Sequence, residues 1–329
     1  GTLTNIASLR AEAGYQGAGD TAAILHLYEE GAGPPSLMAA LGRVEGAWSI
    51  VALVDGFLVA GRDARGFRPL VIGILDGAIV VASETTALDY VGATFIAEVP
   101  PGVVYFIKDG RLEIVGSVAS QAPTRCIFEH VYFARPDSVV FGKSVHDFRE
   151  ESGVALANVS PVEADVVIAV PDSGVQAAVG YARACGVPFG VGFVRSHYVG
   201  RTFIAPLGRD AKVRKKLAPV ASVVSGKRVI VVDDSLVRGT TSRSIVALLR
   251  RAGATEVHVR IASPPVRGPC YYGIDTPTTG ELLATGRTVD EMRVFLGCDS
   301  LAFLPVTSFP VSTGYCTACF TGDYPLAVR

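Results

Sequence analysis

The chain has 329 residues, with thirty Lys and Arg against thirty-one Asp and Glu, a formal net charge of −1, and 49% apolar against 19% charged residues. That length suits about two domains of roughly 100–200 residues, the composition excludes intrinsic disorder, and the balanced charge excludes the basic footprint of a dedicated nucleic-acid binder. No apolar run approaches the roughly 18 residues that cross a bilayer, and the opening GTLTNIASLR lacks the basic-then-apolar form of a secretory signal. The expectation is a cytoplasmic protein with neither a membrane nor a nucleic-acid partner.

In chain order, the pattern first predicts short strands at 48–54, 57–60, 70–74 and 78–82, broken by Asp55-Gly56, by 61–69 and by Asp76-Gly77. Asp-Gly between apolar runs is a hairpin signal, because both residues tolerate the positive φ of the tight turn. A short helix is expected after Ser83, and 103–107 with 111–115 should form another hairpin around Asp109-Gly110. The stretch 117–124 reads as a boundary, giving units 1–120 and 121–329. Beyond residue 140, apolar strands at 166–170, 187–194, 228–232 and 256–261 alternate with helical stretches at 175–184 and 242–251. In the latter, Ile245, Leu248 and Leu249 fall at i, i+3 and i+4, with Gly253 at the C-terminal cap. Alternating strand and helix predicts an α/β unit with a doubly wound parallel sheet, after a first unit of antiparallel sheets with helices.

Residues 228–243, RVIVVDDSLVRGTTSR, carry the strongest chemical signal. A buried strand ends in Asp233 and Asp234, a hydroxyl-rich loop at 235–242 follows, and a helix then begins. Backbone N–H groups and the helix dipole suit a phosphate there, and the acids suit sugar hydroxyls or a hydrated Mg²⁺. Ligands of such sheets bind beyond the carboxyl ends of the strands. A P-loop is excluded, since no Gly-x-x-x-x-Gly-Lys-Ser/Thr is present. The alternative, a strand that merely ends in two acids, does not account for the loop and helix that follow.

This segment resembles the 5-phosphoribosyl-1-pyrophosphate (PRPP) motif of type I phosphoribosyltransferases. CIFEHVYFARPDS (126–138), VPDSG (170–174), HYVGRTFI (197–204), VDDSLVRGTTSR (232–243) and CYYGIDT (270–276), with GRDARGFRPLVIG and VASETTALD earlier, resemble the amidophosphoribosyltransferase family over essentially the whole chain. The resemblance implies an N-terminal Ntn-hydrolase-type glutaminase unit followed by a phosphoribosyltransferase unit. Its reaction opens purine synthesis by displacing pyrophosphate from PRPP with glutamine-derived ammonia. Asp233 and Asp234 would bind the ribose hydroxyls and help hold Mg²⁺ with Ser173, while Ser235, Arg238, Gly239, Thr240, Thr241 and Ser242 would cradle the 5′-phosphate. The basic stretch with Arg195, Arg201, Arg209, Lys212, Arg214, Lys215 and Lys216 resembles the loop that closes over PRPP and excludes water. The family usually has Lys-Asn where this chain has Arg195-Ser196.

The cysteines and the first unit complete the reading. Cys316 and Cys319 form a C-x-x-C, and with Cys126 and Cys270 they resemble the four ligands of the [4Fe–4S] cluster of one branch of the family; four thiolates suit zinc too, and unligated thiols are the third reading. Cys185 and Cys298 read as plain apolar residues. The family's N-terminal Cys nucleophile has no counterpart, for no cysteine precedes Cys126. Gly1 matches the glycine of the oxyanion-hole Asn-Gly, and Asp20 matches the acid that binds the glutamine amine, with Ala22 where the family has Glu. Two explanations are open: a piece of a longer enzyme, the favoured one, or a natural ammonia-only transferase or regulatory relative. An ammonia-dependent transferase is therefore expected, against the alternative of a non-catalytic PRPP or nucleotide sensor. The resemblance further implies a homotetramer inhibited by purine nucleotides.

Overall fold

The computed structural model describes residues 1–17, 19–29, 33–118, 121–195, 217–276, 278–311 and 313–327. In the first part, Ser49–Val54, Phe57–Arg62, Val103–Lys108 and Arg111–Ser117 form an antiparallel sheet in that order, and Ala78–Ala82, Val71–Leu75 and Thr94–Glu98 form a second. Asp55, Asp76 and Asp109 all have φ near +50°, each followed by a positive-φ glycine, so the three Asp-Gly turns take the primed form that matches strand twist. Period-two alternation gives each strand two faces. Val59, Val104 and Phe106 pack on Leu27, Leu37 and Leu41 of the helices Asp20–Glu29 and Gly33–Arg43. Ala60 and Ile107 meet Leu70, Ile72 and Val99 between the two sheets. Leu88 of helix Thr85–Val91 covers the far side. The layers run helix, sheet, sheet, helix.

The second part is built on a parallel sheet ordered Val166–Ala169, Arg228–Asp233, Glu256–Ile261 and Ser300–Phe303. Both faces are covered. Val229, Val231, Val257 and Val259 pack on helices Thr240–Arg251 and Val289–Leu296, while Val167, Ile230 and Val232 pack on helices Val145–Val159 and Val175–Cys185. Each such side chain contributes about 1.5–3 kcal/mol. The latter two helices cross so closely that a Cβ on Gly153 would lie 1.9 Å from the Ala177 carbonyl oxygen.

One expected element differs. Residues 187–194 do not form a continuous strand: Phe189 makes a single parallel bridge to Val167, and Phe193–Arg195 instead pairs antiparallel with Leu217–Pro219. Pro188 lacks an N–H, and at Gly192 a Cβ would meet Ile168 at 2.6 Å, so this backbone lies against the sheet without extending it. The bridge still puts Phe189 on the opposite side of Val166–Ala169 from Arg228–Asp233. The chain thus leaves the first strand on one side and returns on the other.

The two parts abut directly. Phe67 stacks on Tyr272 at 4.6 Å between ring centroids, the Cys126 N–H donates to the Phe67 carbonyl at 3.0 Å, and the Thr86 and Ser138 hydroxyls are 2.7 Å apart.

Candidate active site

The reversal of strand order lies between Val166–Ala169 and Arg228–Asp233, and Asp233 ends the second of these strands. A crevice opens at such a point because the two connections depart to opposite faces. Here it is a cleft of about 490 Å³ whose lining includes Ser173, Asp233, Asp234, Ser235, Arg238, Gly239, Thr240, Thr241 and Ser242. Ser173, the acid pair and each residue singled out in the loop 235–242 are in that lining.

Asp234 is 5% exposed. Its carboxylate accepts hydrogen bonds from the Ser235 and Ser173 hydroxyls, and its N–H donates to Asp233 Oδ1 at 2.9 Å. Burial, joined by the neighbouring Asp234, pushes the Asp233 carboxyl well above the ordinary range. Burial also raises Asp234, against the hydroxyl hydrogen bonds and the positive charge of Arg149. The donor set is all oxygen, two carboxylates and two hydroxyls, which suits a hard divalent cation. On the other side of the loop, Gly239 precedes helix Thr240–Arg251 with φ +74°, and a Cβ there would lie 2.5 Å from Leu283 Cδ2. Glycine is required at this bend, and it aims the first N–H groups of the helix into the cleft.

The arginines diverge. Arg238 reaches Glu281 at 3.4 Å while lining the cleft. Arg195 pairs with Asp172, beside Ser173, and the antiparallel pairing of Phe193–Arg195 sets it outside the lining residues of the cleft. Arg201 and the rest of the basic stretch through Lys216 lie outside the described residues.

In the first part, the Leu3 N–H donates to Asp20 Oδ2 at 2.8 Å, which joins the Gly1 segment to Asp20. Gly1 lies against Gly273, where a Cβ would be 2.7 Å from the Gly1 Cα. Gly273 directly precedes Ile274, Asp275 and Thr276, which line the cleft. The two candidate half-sites are therefore neighbours.

Cys126, Cys270, Cys316 and Cys319 line one narrow pocket with Phe67, Phe128, Tyr272 and Tyr324. Cys126 and Cys316 are register partners on a short parallel ribbon. Burial pushes the Cys316 thiol up to about 11 and also raises Cys126 and Cys319 well above the ordinary thiol range, with the neighbouring cysteines adding to it. Among the described residues, no group of three or more His, Cys, Asp or Glu side chains is arranged to hold a metal ion. Cys185 and Cys298 lie elsewhere, packed in the cores on either face of the sheet.

The model of the glutamine amidotransferase domain matches residues 1–90, and that of the phosphoribosyl transferase domain matches 156–264. The amidophosphoribosyltransferase of Bacillus subtilis is 43% identical over all of this chain and 73% of its own length, and that of Archaeoglobus fulgidus is 44% identical over all of this chain and 76% of its own. The chain belongs to the amidophosphoribosyltransferase family. A chloroplastic member from Glycine max is 50% identical over 99% of this chain, which spans 60% of that relative. A solved structure of the B. subtilis glutamine PRPP amidotransferase complexed with ADP and GMP superposes with a TM-score of 0.93, at 42% identity, over all of this chain and 76% of its own. The expected fold class stands: an Ntn-type glutaminase architecture joined to a type I phosphoribosyltransferase sheet. Among the described residues no helix is long and apolar enough to cross a membrane.

Several cleft residues were quoted within family motifs but not singled out. Phe128, Tyr132 and Phe133 form an aromatic wall, and Ile274, Asp275 and Thr276 a second side. Arg149, 4% exposed, was missed altogether: it donates to the His130 and Ala134 carbonyls at 2.8 Å each and directs its charge toward Asp234. A lone Arg in a helical stretch gives no signal of its own; the FEHVYF segment gave one, an aromatic run too irregular for a strand.

Proposed function

We propose that the second unit, 121–329, transfers the phosphoribosyl group of PRPP to ammonia, giving 5-phosphoribosylamine and pyrophosphate at the opening of purine synthesis, with the first unit, 1–120, as the nitrogen-supplying side. The observation that carries this reading is the meeting of the acid pair, the Ser173 hydroxyl and the Gly239 bend on one cleft at the strand-order reversal. The helix N-terminus with Thr240, Thr241 and Ser242 holds the 5′-phosphate. Asp233 and Asp234 orient the ribose hydroxyls, so that the anomeric carbon faces an incoming amine. Phe133 and Tyr132 narrow the cleft against water, which competes with ammonia. Bound by Asp233, Asp234 and Ser173, Mg²⁺ would neutralise the leaving pyrophosphate. Arg195 and Arg201 belong to a closing segment that would meet the pyrophosphate from the rim.

Gly1 and Asp20 belong to a glutamine pocket, and the Gly1–Gly273 contact supports a short path for nitrogen. The four thiols lining one narrow pocket support a [4Fe–4S] cluster held by Cys126, Cys270, Cys316 and Cys319, tying the C-terminal segment to the body. All six cysteines are unpaired, which suits a reducing compartment such as the cytoplasm. Purine nucleotides as inhibitors and a homotetramer complete the proposal, after the nucleotides named for the B. subtilis structure and the family resemblance.

The test is pyrophosphate release from PRPP with Mg²⁺ and ammonium, alongside calorimetry of PRPP binding. Release that disappears in Asp234→Asn supports the transferase. PRPP binding without release would instead identify a sensor, and neither would overturn the site.

A further inference from the structure

The aromatic wall of the cleft is not held by the second unit alone. Glu129–Phe133 forms a single π-helical turn, closed by the Ala134 N–H donating to the Glu129 carbonyl at 2.9 Å. Such turns push side chains out of ordinary helical register and recur at functional sites. From the first unit, Arg68 enters this turn at both ends. Its Nε lies 3.0 Å from Glu129 Oε1, with Glu129 2% exposed, and its guanidinium lies 4.6 Å from the centre of the Phe133 ring. Phe133 nevertheless keeps 51% of its surface open, as a lining residue of the cleft.

We propose that Arg68 is a positioning residue for the PRPP cleft, acting from the glutaminase unit through Glu129 and Phe133 to fix the aromatic wall. The proposal rests on the reading of the cleft given above. A second arginine holds the same turn: Arg149 donates to the carbonyls of His130 and Ala134, and its charge also reaches Asp234. The turn is thus clamped between a cation of each unit. The Arg68 Nη1 is buried without a hydrogen-bond partner, so the guanidinium lies against the aromatic ring rather than being placed for the most hydrogen bonds. Neither Arg68 nor Glu129 touches the acid pair, so their loss should loosen the wall and leave the reacting groups in place.

The experiment measures ammonium-dependent pyrophosphate release against PRPP concentration for the wild type, Arg68→Met, Glu129→Gln and the double variant. Expected is a rise in KM for PRPP of about tenfold with kcat changed less than about twofold, below the roughly hundredfold that a 1 Å misplacement of reacting groups can cost. The double variant should be no worse than Arg68→Met, because both act through one contact, and Arg68→Lys should recover part of the loss by returning a cation to the ring. Phe133→Leu, at an open position that leaves the ion pair intact, should raise KM similarly and guards against misfolding of the buried variants. Unchanged KM in folded Arg68→Met and Phe133→Leu, or singles whose losses multiply in the double variant, would overturn the proposal. If the wild type itself releases no pyrophosphate, the function has failed and not the clamp; PRPP calorimetry on the same variants then reads the clamp directly, with a tenfold weaker binding expected and equal binding refuting it.

Discussion

Replacing Gly239 by Ala separates the two things this residue does. At φ +74° an L-residue carries a penalty of roughly 1–2 kcal/mol. The new Cβ would also lie 2.5 Å from Leu283 Cδ2, a side chain only 3% exposed, and forcing a methyl into a packed site costs about 1–3 kcal/mol. The sum, about 2–5 kcal/mol, has two outlets. If the loop stays put, the strain remains in the fold and thermal unfolding shifts down by several degrees, at about 2–4 °C per kcal/mol. If the loop lifts away, the helix N-terminus no longer meets the phosphate proposed to bind there. The same energy then appears in binding, at a tenfold weaker KM for PRPP per roughly 1.4 kcal/mol. Differential scanning calorimetry and pyrophosphate release on one preparation read both outlets. A variant that keeps its unfolding temperature within one degree and its KM within twofold would refute the argument that this bend needs glycine.

The acid pair makes folding pH-dependent without metal. Both carboxyls are raised, so the folded state favours their protonated forms, and metal-free stability should fall as pH rises from the ordinary carboxylate range through the raised values. Thermal melts at pH 5 and pH 8 check this, and Mg²⁺ should restore more stability at the higher pH. Glu129, pushed up to about 7 mainly by burial, loses stability in the same sense between its ordinary 4.5 and 7, so Glu129→Gln should flatten that part of the profile. Gly153→Val sets a side chain into the Ala177 carbonyl and should destabilise by about 3 kcal/mol or more, seen as a lowered urea midpoint. Anaerobically purified protein should be brown and contain about four irons per chain. Cys316→Ser should bleach it, whereas colourless protein containing zinc would refute the cluster.

Much of the site was legible because its chemistry is local. VVDDSLVRGTTS sets strand end, acids, bend and helix start within a dozen residues, with Gly239 supplying the positive φ that the bend takes. The Asp-Gly hairpins were legible for the same reason. Illegible were parts whose role depends on what they meet. Strand Ser300–Phe303 and helix Val145–Val159 are ordinary in sequence and acquire meaning as an edge of the sheet and as the partner of Gly180. The stretch 187–194 reads as a strand by its valines, yet its glycines press against Ile168 and Val166 instead.

The sequence by itself determined the fold class and the acid-to-helix loop at 233–242, since both rest on side-chain periodicity and on the conformational freedom of Gly and Asp. Only the tertiary structure decided which distant residues share a site: the four thiols on one pocket, Gly1 against Gly273, and Arg68 against Glu129 and Phe133. The reason is physical. Local preference fixes the course of a few residues, but the approach of segments tens or hundreds of residues apart is set by how whole layers bury their apolar faces.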